Sequence, residues 1–362
     1  MLDGALKNFG FGCMRLKLLD NGEVDLDNFR EMVDLFLENG FNYFDTAHGY
    51  INHKSETAIR ECLVKRYPRE SFILTDKLSD GFFKTEEEIL PLFESQLAAC
   101  GVDYFDYYLM HAHNAELFKK YNRLHAYEIV SDLIKQGRVK HLGISFHDKA
   151  DVLDMILTGR PEIEVVQLQF NYLDYEDDNV QAKKCYDVCV KHGKDVIVME
   201  PVRGGRLANL PLAAQRIYDE FDSGYAEFAI RWAAGFDNVR MVLSGMNDTA
   251  QMRENIGYMK DFRPLDEKEL AAVEKVCSIL KNQNIIPCTA CGYCVDGCPA
   301  DIKIPRIFEL LNSRQLDSGF DFDAAYSALT EDSGEAADCI KCCQCEHICP
   351  QKLEITELLE TV

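Results

Sequence analysis

Short apolar runs alternate with longer amphipathic stretches over the first two thirds of the chain, from residue 9 to about residue 260. The apolar runs are nearly continuous, as expected of strands that are buried on both faces of a parallel sheet. Eight such runs are present, and in chain order they are FGFGCMRL, FNYFDTA, FILTDKL, YFDYYLMH, VKHLGISF, EVVQLQFN, DVIVMEP and VRMVLSG.

A segment with helical periodicity follows each apolar run. The first of these segments ends at Gly40, a residue type that commonly terminates helices. The eight segments are DLDNFREMVDLFLENG, SETAIRECLVKR, TEEEILPLFESQLAACG, LHAYEIVSDLIKQG, KADVLDMILTG, NVQAKKCYDVCVKHG, YAEFAIRWAAG and DTAQMRENIGYM. Eight strand–helix alternations within about 250 residues predict an α/β fold of the (β/α)8 type, a TIM barrel.

A doubly wound open sheet is the competing fold for alternating strands and helices. That fold carries a glycine-rich fingerprint in the turn after its first strand. The nearest match, GFG at residues 10–12, lies inside the predicted strand instead. The barrel is therefore the favoured prediction.

The pattern changes beyond residue 262, where one amphipathic stretch, RPLDEKELAAVEKVCSILKN, precedes a cysteine-rich region. Within that region the segments IPRIFELLNSRQL and DFDAAYSAL have helical periodicity. We predict a barrel domain at 1–262, a connecting helix at 263–284, and a small, mainly helical C-terminal domain at 285–362.

Nine of the fifteen cysteines lie in this last region, and eight of them form two boxes of the pattern C-x2-C-x2-C-x3-C-P. This spacing is typical of two-cluster ferredoxins, in which the cysteine before the proline ligates the other cluster. Zinc sites instead use paired C-x2-C knuckles. We predict two [4Fe–4S] clusters, with the ligands Cys288, Cys291, Cys294, Cys298, Cys339, Cys342, Cys345 and Cys349.

The segment between the two boxes is longer than in a compact bacterial ferredoxin, so this region resembles the α-helical ferredoxin type. Cys343 departs from the pattern, because a glycine usually follows the second cysteine of such a box. We expect a spare thiol beside the cluster there. Exchange of Cys343 for a neighbouring ligand is the alternative.

Charge and composition disfavour several classes of protein, namely nucleic-acid-binding, membrane-spanning and secreted proteins. The net charge is −22, which disfavours binding to nucleic acid through its phosphates. No apolar run reaches the roughly 18 residues of a membrane span, and the start MLDGALKNFG does not read as a secretion signal. We expect a cytoplasmic protein that binds neither nucleic acid nor membrane, and its cysteines then indicate metal binding rather than disulfides.

The residues that end the predicted strands are candidates for catalysis, because chemistry in a (β/α)8 barrel takes place at the C-terminal ends of its strands. Asp45, Lys77 and His111 end the second, third and fourth strands, and Tyr50 lies in the loop just after Asp45. Each of them alone has an ordinary explanation, as a first loop residue or a packed aromatic. Four such residues at the same end of the predicted barrel indicate a catalytic site.

Together these four side chains suit proton transfer to a carbonyl group. A lysine cation favours the phenolate form of a nearby tyrosine, and an aspartate beside the lysine keeps it charged and oriented. A histidine can form a hydrogen bond with the carbonyl oxygen. The set is therefore able to protonate that oxygen while a hydride reaches the carbon.

The stretch FDTAHGY, the SE that follows it, Lys77 and His111 resemble the aldo-keto reductase family. The resemblance covers roughly residues 5–260. It implies a nicotinamide cofactor, NADP(H) or NAD(H), that lies extended across the barrel mouth without a Rossmann fold. It also implies Tyr50 as general acid, Lys77 and Asp45 as its tuning pair, and His111 as the residue that orients a carbonyl or alcohol substrate.

The same resemblance implies residues that hold the cofactor. Ser145 and Gln167 resemble the pair that binds the carboxamide, and Met199 stands where many members carry a stacking aromatic residue. The loop after the seventh strand offers an arginine and two glycines for phosphate, with a solvated loop as the alternative. The segment GMND lacks the basic residue that many members place on the 2′-phosphate, so NADP and NAD both stay open. The phosphate candidates of that loop are Arg203, Gly204 and Gly205. The segment QMREN resembles the part of the family that binds the adenine end of the cofactor, which implies Gln251, Glu254 and Asn255.

Hydride chemistry moves two electrons and a cubane cluster passes one, so direct coupling needs a two-electron gate, usually a flavin. No flavin motif is evident, although a barrel mouth can hold a flavin without one. We favour an NAD(P)-dependent oxidoreductase whose clusters exchange electrons with a separate redox protein. The alternatives are an electron-transfer protein whose barrel only binds a cofactor or docks a partner, and clusters that serve as structural staples.

Overall fold

The computed structural model describes residues 1–283, 285–316 and 319–362. In these residues eight parallel strands pair in chain order and close into a barrel, because the first strand also pairs with the last. The strands are β1 Phe9–Gly12, β2 Tyr43–Asp45, β3 Ile73–Leu78, β4 Phe105–His113, β5 Val139–Phe146, β6 Val165–Gln169, β7 Asp195–Met199 and β8 Val239–Ser244. The predicted barrel is confirmed, and the open-sheet alternative is wrong.

A helix follows every strand along the chain, and each of the eight predicted helical segments contains one. Asp25, Asn114 and Asp248 cap three of the helices by accepting hydrogen bonds from backbone N–H groups of the first turn. Among the described residues, no helix is both long and apolar enough to cross a membrane. The helices are α1 Leu26–Glu38, α2 Lys54–Ile59, α3 Ile89–Cys100, α4 Ala115–Arg123, α5 Ala126–Lys135, α6 Ala150–Gly159, α7 Ala182–Lys191, α8 Leu212–Tyr218, α9 Tyr225–Ala234, α10 Thr249–Met259, α11 Glu267–Lys281, α12 Tyr293–Asp296, α13 Ile304–Leu316, α14 Phe322–Thr330, α15 Gln344–Ile348 and α16 Ile355–Leu359.

Alternate residues of the strands point into the barrel and form two layers of different chemistry. Near the N-terminal ends of the strands the layer is apolar, and its members are Tyr43, Ile73, Tyr107, Leu109, Val165, Ile197, Met241 and Leu243, together with Leu2 and Ala5. Two or four positions further along the same strands the interior residues include Asp45, Lys77, His111, Ser145 and Gln167. Because successive strand residues alternate between the two faces, strand parity places these polar side chains in the barrel mouth.

The opposite faces of the strands pack against the helices in a large apolar core. Phe11 on β1, for example, contacts Phe29 of α1 edge to face, with ring centres 5.5 Å apart. On β3 the outward residues are Leu74, Asp76 and Leu78. The two leucines belong to the apolar core, and Asp76 is fully buried between them.

The chain divides into two compact units. The first comprises residues 1–202 and 218–273 and contains the barrel, and the second comprises residues 203–217 and 274–362. Helices α13 and α14 form as the periodicity predicts, and with α16 they supply most of the second unit's own apolar core. The core of this unit is small and includes cysteine side chains packed on its edge.

Gly143→Ala is expected to destabilise the barrel, because a Cβ atom there would lie 2.4 Å from Cδ2 of Leu109 and 2.9 Å from the backbone oxygen of Val165. Overpacking of this kind costs about 1–3 kcal/mol of unfolding free energy. The measurement is denaturant unfolding followed by the fluorescence of Trp232, the single tryptophan of the chain, which lies on α9.

The matched control is Gly257→Ala on α10, where a Cβ atom would meet open space. Alanine is the better helix former, so this variant should be as stable as the wild type or slightly more stable. Equal unfolding midpoints for Gly143→Ala and Gly257→Ala would contradict the described packing of the barrel interior.

Candidate functional site

A buried ion pair joins the C-terminal ends of β2 and β3. The Nζ atom of Lys77 lies 2.6 Å from Oδ1 of Asp45, and the two side chains are 0% and 5% exposed. Nζ also donates a hydrogen bond to the backbone oxygen of Thr46, at 2.7 Å. Two oxygen atoms of β2 and its loop thus hold the ammonium group in place.

Tyr50 and His111 lie beside this pair. Nζ of Lys77 is 4.9 Å from the centre of the Tyr50 ring, and the ring centres of Tyr50 and His111 are 6.0 Å apart, nearly perpendicular to each other. Tyr50 is 9% exposed and His111 is 8% exposed. The structure therefore brings the four predicted catalytic side chains together at one end of the barrel.

The imidazole of His111 is kept neutral by its surroundings. Burial lowers its pKa well below the usual value, and the nearby Lys77 and His147 lower it further. Its Nδ1 atom lies 2.6 Å from the hydroxyl oxygen of Ser79. When that hydroxyl donates to Nδ1, the neutral ring carries its proton on Nε2, which is the tautomer that can donate to a carbonyl oxygen.

The two residues predicted to bind the carboxamide also lie at this end of the barrel. Gln167 donates a hydrogen bond from Nε2 to Oδ2 of Asp45, at 3.0 Å, so both carboxylate oxygens of Asp45 have partners. Ser145 is 1% exposed, and its hydroxyl lies 3.4 Å from Nε2 of His147. In the structure Gln167 thus supports the Asp45–Lys77 pair directly.

The remaining predicted cofactor residues divide between the two units. Met199 ends β7, while the loop of Arg203, Gly204 and Gly205 belongs to the second unit. There the guanidinium of Arg203 is buried and donates to the side-chain oxygen of Gln351, at 3.3 Å.

The predicted adenine-end residues lie on α10, in the unit that contains the barrel. Asn255 is buried and donates to the hydroxyl of Ser244, at 2.9 Å. Gln251 bonds to the backbone and side chain of Asn247. Glu254 is exposed between them, so these three residues occupy the first two turns of one helix.

The eight box cysteines surround two cavities in the second unit. The first takes its cysteines from three positions of the first box and one of the second. The second takes one box cysteine from the first box and three from the second. The two sets are Cys288, Cys291, Cys294 and Cys349, and Cys298, Cys339, Cys342 and Cys345.

This crossed grouping is the one expected for two cubane clusters, in which each box lends its last cysteine to the other cluster. Each cavity is bordered by four box thiols, and the matching donor sets fit two groups of the same kind. Cys343 lines the second cavity as well, and its Sγ lies 3.5 Å from the backbone oxygen of Lys341.

Several site residues lie outside the set predicted from the sequence. Ser79 follows Lys77 by two residues, and His147 follows Ser145 by two. Residues two apart in a strand face the same way, so extending this alternation into the loops would have predicted both residues. Glu56 and Asp76 are buried behind Lys77. The available signal for Asp76 was its place on the outward face of its strand, where its neighbours on that face, Leu74 and Leu78, are apolar.

Comparisons with known proteins agree with the two-part organisation. The model of the aldo/keto reductase family matches residues 8–278, and that of the 4Fe-4S dicluster domain matches residues 287–353. The uncharacterized oxidoreductase YtbE of Bacillus subtilis (strain 168) is 26% identical over 202 residues, which are 55% of this chain and 68% of that protein. The glyoxal reductase of the same organism is 24% identical over 228 residues, covering 62% and 73%.

Solved structures share the barrel fold. The holo form of the aldo-keto reductase AKR11C1 from Bacillus halodurans has a TM-score of 0.62 at 23% identity, and the match covers 74% of this chain and 91% of that one. An aldo-keto reductase from Klebsiella pneumoniae in complex with NADPH has a TM-score of 0.59 at 18% identity, with 74% and 90% covered. At these identities the likeness concerns the fold alone.

Lys77→Met is expected to lower the free energy of unfolding by about 3–5 kcal/mol, because it leaves the carboxylate of Asp45 buried without its cation. The double variant Asp45→Asn, Lys77→Met removes both charges and should recover part of that loss. Denaturant unfolding followed by Trp232 fluorescence measures both variants. If the double variant is no more stable than the single one, an unpaired buried charge is not the source of the loss.

Proposed function

Because the chain belongs to the aldo/keto reductase family, we propose that its barrel is an NAD(P)-dependent oxidoreductase that interconverts a carbonyl compound and an alcohol. The predicted family resemblance is confirmed, and the predicted reaction is supported by one observation above all. Tyr50, Lys77, Asp45 and His111 meet at one end of the barrel, with the lysine cation against both the tyrosine ring and the aspartate.

Tyr50 is the proposed general acid. In the direction of reduction its hydroxyl proton moves to the carbonyl oxygen, and the phenolate that remains is stabilised by the Lys77 cation. Asp45 holds that cation in position, and its own carboxylate is held by Gln167. In the direction of oxidation the phenolate accepts the proton of the alcohol.

His111 is proposed to orient the carbonyl group. Its imidazole is neutral and buried, so it can donate a hydrogen bond without competing with Tyr50 as an acid. The Ser79 hydroxyl selects the ring tautomer. A carbonyl oxygen that accepts from both His111 and Tyr50 is polarised toward attack at its carbon.

A bound nicotinamide would supply or accept the hydride at the carbonyl carbon. The residues present fit such a group, because the hydroxyl of Ser145 and the amide of Gln167 lie buried at the same end of the barrel as the four catalytic side chains. We propose that these two residues, Met199 and the α10 residues Gln251 and Asn255 hold it. A relative named glyoxal reductase and a similar fold solved with NADPH support this choice.

The two cysteine-lined cavities are proposed to hold one [4Fe–4S] cluster each. Clusters of this type pass single electrons, so we propose that they exchange electrons with a separate redox protein. The matched dicluster family model and the crossed grouping of the cysteines support the assignment.

Tyr50→Phe is expected to lower carbonyl reduction by about 10²- to 10⁴-fold, the usual contribution of a positioned general acid. The protein would be purified anaerobically and tested with NADH and NADPH on a panel of small aldehydes, ketones and sugars. The iron and sulfide content should be unchanged, because Tyr50 and the box cysteines belong to different units.

Tyr225→Phe is the matched control and should keep wild-type rates, because it removes a hydroxyl whose hydrogen bond goes to the exposed Asp219, at 2.8 Å. Full activity in Tyr50→Phe would contradict the role assigned to Tyr50. A wild-type protein that binds nicotinamide but turns over no carbonyl would favour an electron-transfer protein with a cofactor-binding barrel.

A further inference from the structure

Two buried carboxyl groups lie behind the catalytic lysine, in the apolar layer between the barrel and its helices. Glu56 on α2 is 1% exposed and Asp76 on β3 is 0% exposed. Their oxygen atoms and the thiol of Cys100 on α3 lie within 4.8 Å of one another. The proposed reaction does not use either carboxyl, so their presence in this layer calls for a physical reason.

Asp76 and Gln96 together hold the backbone N–H and C=O groups of Lys77. Its Oδ1 atom accepts hydrogen bonds from the backbone N–H of Lys77, at 2.7 Å, and from Nε2 of Gln96, at 3.0 Å. The same Nε2 donates to the backbone oxygen of Lys77, at 3.0 Å. Gln96 is itself fixed, because its side-chain oxygen accepts from the hydroxyl of Tyr108.

Glu56 reaches the segment that carries Tyr50. Its Oε2 atom lies 2.9 Å from Nδ1 of His48, and His48 stands between Asp45 and Tyr50 in the chain. Burial lowers the pKa of His48, so its ring is neutral at pH 7 and donates from Nδ1 to the carboxylate. Glu56 and Asp76 thus connect the two segments that bring Lys77 and Tyr50 to the barrel mouth.

The charge state of the pair follows from its surroundings. Burial raises the pKa of Glu56 to about 7, and burial together with the adjacent Glu56 raises the pKa of Asp76 well above its usual range. The titratable groups that face the pair are His48, Lys77, Cys100, Tyr108 and Cys13. Lys77 is the cation among them, and its ammonium group is bound to Asp45.

Two ionised carboxylates in contact within an apolar layer repel each other strongly. One proton between them removes that repulsion, and because their oxygen atoms lie within 4.8 Å of each other, the group that carries the proton can donate it toward the other. The carboxylate of Glu56 then accepts from Nδ1 of His48, and the side-chain Oδ1 of Asp76 accepts from the backbone N–H of Lys77.

We propose that Glu56 and Asp76 hold one shared proton and act as positioning residues, which fix the backbone of Lys77 and the segment of Tyr50 relative to each other. This inference rests on the proposed function, since it assigns the pair to the same catalytic site. Neither residue touches the substrate. A divalent cation held by Glu56, Asp76 and Cys100 is the rival explanation for the cluster.

Asp76→Asn and Asp76→Leu separate the hydrogen bonds from the charge. Asparagine keeps the oxygen that accepts from Lys77 and Gln96 and offers Glu56 an N–H donor, so kcat at pH 7 should stay close to the wild-type value. Leucine removes the acceptor, and displacement of Lys77 should lower kcat by about 10- to 100-fold with little change in KM. Glu61→Gln, on the exposed turn after α2, is the control and should leave both constants unchanged.

The pH dependence distinguishes positioning from a purely structural role. In the wild type, rising pH removes the shared proton, and kcat should fall as the second negative charge appears. Asp76→Asn lacks this ionisation, so its alkaline fall in kcat should begin at higher pH. Identical alkaline limbs in the wild type and Asp76→Asn, or an unchanged kcat in Asp76→Leu, would overturn the proposal.

A second readout does not require turnover. Both carboxyls have raised pKa values in the folded state, so the stability they contribute is complete below the usual carboxyl pKa of about 4 and is lost as pH rises through and beyond 7. The urea midpoint of the wild type, followed by Trp232 fluorescence, should therefore fall more steeply from pH 6 to pH 9 than that of Asp76→Asn.

The two readouts keep the inference separate from the proposed function. The urea midpoint of the wild type could fall more steeply with pH than that of Asp76→Asn while the protein reduces no carbonyl compound. That result would contradict the proposed function and the positioning role, and it would still support the shared proton. If the enzyme reduces carbonyl compounds but the urea midpoints of the wild type and Asp76→Asn depend on pH in the same way, the shared proton is contradicted and the proposed function is not. One equivalent of a metal other than iron in the wild type, absent from Asp76→Asn, would overturn the proposal in favour of the cation site.

Discussion

The ion pair between Lys77 and Asp45 is the interaction on which the arrangement of the barrel mouth depends. A buried pair is stable only when its geometry is good and its remaining hydrogen-bonding capacity is satisfied, because desolvation of two charges costs several kcal/mol per ion. Here Lys77 has a second acceptor in the backbone of Thr46, and Asp45 has a second donor in Gln167. The pair thereby connects the ends of β2, β3 and β6. It also holds the Lys77 ammonium group 4.9 Å from the centre of the Tyr50 ring, and the chemistry proposed for Tyr50 depends on that position.

The barrel interior explains why a charged pair is tolerated at this position. The lower layer of interior side chains is apolar and closes the barrel, while the upper layer faces the mouth and carries the polar groups. The outer face of β3 packs against the helices and is apolar except at Asp76. The carboxyl of Glu56, the amide of Gln96 and the thiol of Cys100 surround the Asp76 carboxyl there. In the second unit a small apolar core borders two cavities lined by cysteines, as expected of a unit built around bound clusters.

Much of this organisation could be predicted from local patterns. Parallel strands are buried on both faces, so their apolar runs stand out, and the residues after those runs meet at one rim by the geometry of the barrel. The box spacing identifies the cysteines because a cubane needs ligands at close, regular intervals. The contact of Gln167 with Asp45 could not be predicted, since it depends on how β6 and β2 face each other across the barrel. The placement of residues 203–217 in the second unit likewise depends on tertiary packing.

The most direct test of the account follows the hydrogen that reaches the carbonyl carbon. The protein, with its clusters intact and without oxygen, would be given a reducible carbonyl compound and a nicotinamide deuterated at its transferable position, and the alcohol would be analysed by mass spectrometry and NMR. Direct hydride transfer at the barrel mouth predicts one deuterium on the carbinol carbon of each product molecule. Hydrogen from solvent at that carbon would contradict the account, because the electrons would then have travelled separately from the hydrogen.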